Sequence, residues 1–188
     1  AKVRIQRATL GLYAQRPEAA REEATQALSM LDERERADRA QARRMIGRAR
    51  LVEGHVSEGI DDLRHALELF REAESPYDVL NVLQDLAFAY GSQGRFDAAA
   101  THLGEALPLA RRLGSSAQLA GVLNNLGMLN YEQGNYRRAL ALHQEGLTVA
   151  RRANDAWSIA YLADGMGTIY RDAGAYRRAE RLFEMAWR

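Results

Sequence analysis

The stretch Ser115–Asn154 recurs along the chain at a spacing of forty residues, and that self-similarity limits the fold more than any other property of the sequence. Its middle reads LNNLGMLNYEQGNYRRALALHQEGL; forty residues on, with no gap, the chain reads ADGMGTIYRDAGAYRRAERLFEMAW. Toward the N-terminus, Leu126, Gly127, Gly134, Tyr136, Ala139 and Gly146 fall on Leu86, Ala87, Gly94, Phe96, Ala99 and Ala106. They fall next on Ile46, Gly47, Gly54, Val56, Gly59 and Ala66. A first, more degenerate copy around Ala8, Pro17, Ala20, Ala24 and Ala27 fits best at a spacing of thirty-nine. A unit this short cannot bury an apolar face alone, so the copies must stack on one another.

Each copy reads as two helices. Apolar residues recur at helical spacing, as at Val122, Leu126 and Leu129 or Leu140, His143 and Leu147, and strand alternation is missing. Glycine marks the turns and Pro17 and Pro76 suit first helical turns. The expectation is an all-α chain of about five helix-turn-helix units, near 1–35, 36–74, 75–114, 115–154 and 155–188, forming one domain. Gly114 should stop a helix, Ser115 or Ser116 and Asp155 should cap the next ones, and Pro108 should kink the helix that holds it. Ala1 in place of methionine and a last helix ending in FEMAW suggest a piece of a larger protein.

The small positions account for the packing. Gly47, Ala87, Gly127 and Gly167 lie midway along first helices, where glycine costs about 0.5–1 kcal/mol relative to alanine. Close crossing by a second helix, at Gly59, Ala99, Ala139 and Ala179, offsets that cost. Leu86, Leu126, Met166, Phe96, Tyr136 and Tyr176 are expected to fill the space around each crossing. Tyr90 and Tyr170 add bulk one turn on, whereas Arg50 and Asn130 in that position imply looser or wetter packing. This pattern resembles the tetratricopeptide repeat family over the whole chain, and most strongly from Ala40 onward. The forty-residue version is similar to the repeats of spindle-orientation adaptors, kinesin light chains, and the sensor regions of LuxR-type and antibiotic-regulatory bacterial activators. The resemblance implies a right-handed α-solenoid whose first helices line a concave groove.

In that register the groove-facing side chains are Arg44 and Arg48; Gln84, Asp85 and Phe88; Asn124, Asn125, Met128, Tyr131 and Glu132; and Tyr161, Asp164, Thr168, Arg171 and Asp172. Carboxamides at Asn124 and Asn125 suit both N–H and C=O of an extended peptide, and Phe88, Met128 and Tyr131 would be apolar anchors. The same asparagines would equally serve to bond neighbouring helices or water. The set is basic near Arg44 and Arg48 and acidic near Asp164 and Asp172. The lysines with which chaperone-binding relatives hold a terminal carboxylate are missing.

The chain carries 26 Lys and Arg against 25 Asp and Glu, a net charge of +1, so no nucleic-acid or membrane footprint is expected. With no cysteine, thiolate chemistry is excluded. His55, His65, His102 and His143 fall in four separate settings, so neither a metal nor a cofactor is expected, and His143 reads as a satisfied interior imidazole. The GMG of Gly165–Gly167 lies within a helix and lacks the strand a dinucleotide site needs. Of enzyme acids only Glu132, Asp164 and Asp172 would qualify, and catalysis is not expected. Arginine pairs open two second helices, Arg137 with Arg138 and Arg177 with Arg178, against the helix dipole, which marks a stripe to test for an acidic partner.

The sequence therefore points to a non-catalytic, cytoplasmic module that binds a peptide or protein segment in its groove, within a bacterial signalling or transcription regulator. The competing classes are a small-molecule effector sensor and a structural spacer, the latter self-associating through Phe183, Met185 and Trp187 on the C-terminal helix.

Overall fold

A computed structural model describes residues 1–187, which form ten α-helices and, among the described residues, no strand. They are α1 (Lys2–Tyr13), α2 (Pro17–Ser29), α3 (Arg36–Glu53), α4 (Val56–Glu72), α5 (Pro76–Ser92), α6 (Phe96–Leu113), α7 (Ser116–Glu132), α8 (Tyr136–Arg152), α9 (Ala156–Asp172) and α10 (Tyr176–Ala186). Two helices fall in each expected repeat. The fold is the all-α helical-repeat architecture that the period implies. Contacts divide the chain into two compact units, Ala1–Ala89 and the residues from Tyr90 onward, with the division inside α5.

Local chemistry sets the helix ends. Pro17 occupies the first turn of α2 and Gly114 ends α6 in the left-handed conformation. The Ser115 hydroxyl accepts from the Gln118 N–H at 3.4 Å, and the Asp155 carboxylate accepts from the Ser158 N–H at 3.1 Å. Helix α6 continues through Pro108 to Leu113. Gly54, Gly94, Gly134 and Gly174 close the turns between paired helices with φ between 71° and 88°. Gln15 holds the equivalent turn of the first repeat at φ 54°, thirty-nine residues before Gly54, so the shorter spacing of that copy is real.

In the first unit α1 packs on α2, α2 on α3, and α3 on α4. Its core is alanine-rich, joining Ala8, Ala20, Ala24, Ala27 and Ala42 to Ile5, Leu31, Met45 and Ile46. The α3–α4 crossing is a backbone contact. A Cβ on Gly47 would lie 2.8 Å from the Gly59 carbonyl oxygen, and one on Gly59 would lie 2.8 Å from that of Gly47. No side-chain rotation relieves such a contact, so this crossing needs glycine on both helices.

The Arg50 position is filled, not loose. Asp62 is buried and accepts from Arg50 at 2.6 Å and from Arg43 at 3.2 Å. A buried carboxylate is tolerable because two guanidiniums share it. One repeat on, Tyr90 and His102 hold the equivalent places and stack with ring centroids 5.4 Å apart and 6° between planes.

In the second unit α6 packs on α7, α7 on α8 and α9, and α9 on α8 and α10. Ala120, Leu147, Ala150, Leu162 and Met166 form a buried cluster. The expected space-fillers Tyr136 and Tyr176 do not join it; they are 49% and 70% exposed. Each is the first residue of its helix, as is the half-buried Phe96 of α6.

Candidate partner-binding face

On the first unit, α3 and α5 bring Arg44, Arg48 and Asp85 together. Arg44 Nε donates to Asp85 Oδ2 at 2.6 Å, and Arg48 Nε lies 3.8 Å from Asp85 Oδ1. The Arg44 and Asp85 side chains keep only 12% and 18% of their surface, so this is a largely dehydrated, charge-assisted bond between neighbouring first helices. The two positive charges foreseen here are not both left over, because one carboxylate serves them. Gln84 is half-buried and already engaged. Phe88 is 72% exposed on α5.

On the second unit, α7 and α9 repeat the arrangement with other chemistry. The Tyr131 hydroxyl donates to Asp172 Oδ2, while Arg171 Nε donates to Asp172 Oδ1 at 2.8 Å. Those bonds, the Arg171 one first, hold the Asp172 carboxyl below its ordinary range, and the bond to Asp172 raises the Tyr131 phenol. Tyr131 also leans on Tyr136, with ring centroids 5.7 Å apart. Asp172 is therefore neutralised within the face, and the acidic end foreseen there reduces to Glu132 and Asp164, both exposed.

Tyr161 is not a free groove residue. Its hydroxyl lies 2.9 Å from Ser158 Oγ, which donates to Asp155 Oδ2 at 2.6 Å, so it buttresses the N-terminus of α9. Burial pushes its phenol up, and the bonds from Ser158 hold the Asp155 carboxyl down. Asn124 and Thr168 are half-buried, and Asn125 is half-buried and engaged. Met128 is 45% exposed.

Behind this face His143 departs from expectation. It is 1% exposed on α8, yet neither ring nitrogen has a hydrogen-bond partner. Its ring lies between glycines of two first helices: a Cβ on Gly127 or on Gly165 would come within 2.7 Å of His143 Cε1. Burial lowers its pKa to about 4, so the ring is neutral at pH 7. Gly127, one of the expected small positions, and Gly165, which the repeat pattern did not mark as one, are thus the walls of an imidazole slot.

At the C-terminal hairpin, Met166, Tyr170, Arg178, Arg181, Leu182 and Met185 line a shallow cleft of about 330 Å³. Of the foreseen self-association residues, Phe183 is turned inward, since a Cβ on Gly167 would lie 2.6 Å from its Cε1. Met185 sulfur accepts from Arg151 at 3.3 Å, and Trp187 is 89% exposed. No group of three or more His, Cys, Asp or Glu side chains able to hold a metal occurs among the described residues. None of the described helices is long and apolar enough to cross a membrane.

Forty-residue helical hairpins with small residues at each crossing, and polar rungs between successive first helices, define a tetratricopeptide-type repeat protein. The family model described as the MalT-like TPR region matches residues 1–186, and the chain belongs to that family. Comparison with curated proteins gives no match. Among solved structures the chain is similar to BtubC from P. vanneervenii, with 22% identity and a TM-score of 0.72 over 95% of this chain and 73% of that one. It is similar to a Rap protein complexed with competence and sporulation factor, with 16% identity and a TM-score of 0.84 over 96% of this chain and 51% of that one. It is also similar to the Rap conjugation gene regulator of plasmid pLS20 in complex with the Phr* peptide, with 15% identity and a TM-score of 0.82. That match spans 95% of this chain and 50% of the regulator. At these identities the likeness is one of fold.

Proposed function

We propose that the chain is a non-catalytic interaction module that receives a peptide or protein segment on the first-helix faces of its repeats. The observation that carries this is the exposure of Phe88 and Met128, 72% and 45%, at the same register position of consecutive repeats. Large apolar side chains left in water where the core does not need them are apolar anchors in waiting. Within the second unit Asn124 and Glu132 lie one helical turn either side of Met128 on α7, and Asp164 and Thr168 hold the Asn124 and Met128 positions on α9, as candidate polar contacts. The pLS20 Rap conjugation gene regulator, similar in fold, is in complex with the Phr* peptide, which supports a peptide as the ligand class. Within the cell the module would sit in the cytoplasm, as the sensing or scaffolding part of a bacterial signalling or transcription regulator.

The test is to select peptides from a phage-displayed random library on the whole chain and measure their affinity for the Phe88→Ala, Met128→Ala double variant. Both side chains are exposed, so the melting temperature should stay within a degree or two of wild type. Binding should weaken by about tenfold or more. Selected peptides that bind the variant unchanged would reject the first-helix face. Enrichment of no peptide, with a metabolite raising the melting temperature instead, would favour an effector sensor.

A further inference from the structure

We propose a second interaction surface, distinct from the first-helix face, on the opening turns of α8 and α10, whose partner is a short acidic protein segment. The surface consists of Tyr136, Arg137 and Arg138 on α8 with Tyr176, Arg177 and Arg178 on α10, one YRR triplet recurring at the forty-residue period. All six side chains are exposed. Among the described residues none of the four arginines pairs with a carboxylate, although 25 of the chain's residues are acidic and many other arginines do pair. Arg178 lies over the Tyr170 ring, 5.6 Å from its centroid, a cation–π contact that brings it no carboxylate.

The placement works against folding, and seven of the other eight helices show the alternative; the exception, α1, opens with Lys2 and Arg4 and has no side-chain cap. Helices α2, α3, α4, α5 and α6 each open with an acidic residue, Glu18, Asp38, Glu58, Asp78 and Asp97, which suits the positive end of a helix. Helices α7 and α9 open with a side-chain cap, Ser115 and Asp155. Helices α8 and α10 have neither; their preceding residues, Asn135 and Ala175, make no side-chain cap bond. Where α6 has Asp97, α8 has Arg137 and α10 has Arg177. Stability alone would favour the acid at all three places.

The chemistry of the surface selects the partner. Guanidinium forks bind carboxylates bidentately, and the exposed tyrosines offer hydroxyl donors beside an apolar ring. A nucleic acid draws its affinity from a long basic track that neutralises many phosphates. Here four guanidiniums span two helical turns, and exposed Glu180 and Glu184 follow on α10, so a long polyanion meets repulsion where a short acidic segment does not. Overall charge of +1 agrees with local rather than general attraction.

The experiment uses the whole chain and a fluorescein-labelled oligoglutamate peptide, read by anisotropy, with a glycine–serine peptide and a single-stranded oligonucleotide of equal length as comparisons. Oligoglutamate should bind better than both and lose affinity as salt rises. Changing Arg137, Arg138, Arg177 and Arg178 together to Gln should weaken it at least about tenfold, with the helical signal kept and the melting temperature unchanged or raised. The Phe88→Ala, Met128→Ala variant should bind oligoglutamate like wild type, which separates this surface from the first-helix face. Oligoglutamate binding no better than glycine–serine, tighter binding of the oligonucleotide, or full affinity in the four-fold Gln variant would each overturn the proposal.

Discussion

Acidification should destabilise the second unit through one residue. His143 is enclosed between Gly127 and Gly165 with both nitrogens unpaired, and burial lowers its pKa from 6.5 to about 4. The folded state therefore binds a proton less readily than the unfolded chain. Its contribution is intact above the unfolded pKa, and is lost as pH falls from about 6.5 toward 4. With 1.36 kcal/mol per pKa unit, the loss relative to pH 7 comes to about 2 kcal/mol at pH 5 and about 3 at pH 4. Urea unfolding followed by circular dichroism at pH 7, 6 and 5 measures it. The control is His143→Leu, because Leu103 holds the same register position in α6 and is buried there. The variant should shed most of the loss between pH 7 and pH 5. It should also hold its own at pH 7, since the exchange removes two unsatisfied buried nitrogens. Carboxylates held down by hydrogen bonds, Asp172 and Asp155, lose their contribution at lower pH and are common to both proteins. A pH dependence identical in wild type and His143→Leu would refute the reasoning.

Two further outcomes test the frame. Gly47→Ala should cost about 1–3 kcal/mol in chemical unfolding, against the gain that alanine brings to an exposed helix, because its Cβ meets the Gly59 carbonyl oxygen at 2.8 Å; a gain would show that α3 and α4 can separate freely. Glu74→Gly should raise stability by up to about 1 kcal/mol, because Glu74 holds φ 50° at an exposed turn where its side chain is a steric liability; a lower melting temperature would show that the turn relies on the glutamate.

The sequence alone determined the helices, their pairing and the places where they touch. Turn glycines, first-turn prolines, caps and the Gly47–Gly59 crossing express backbone sterics and hydrogen bonding within a few residues, and a forty-residue period repeats those local choices. Only the tertiary structure decided which side chains are left over for a partner. Arg44 meets Asp85 and Tyr131 meets Asp172, each pair 41 residues apart, so a residue's availability depends on what the next repeat places opposite it. The matched pairs Arg50 with Asp62 and Tyr90 with His102, twelve residues apart, carry a legible signal of complementary residues exchanged together. His143 and the YRR turns gave no such signal. Whether an imidazole finds a donor, or a tyrosine at a helix start finds a core, is settled by the shape of the neighbours and not by its place in the pattern.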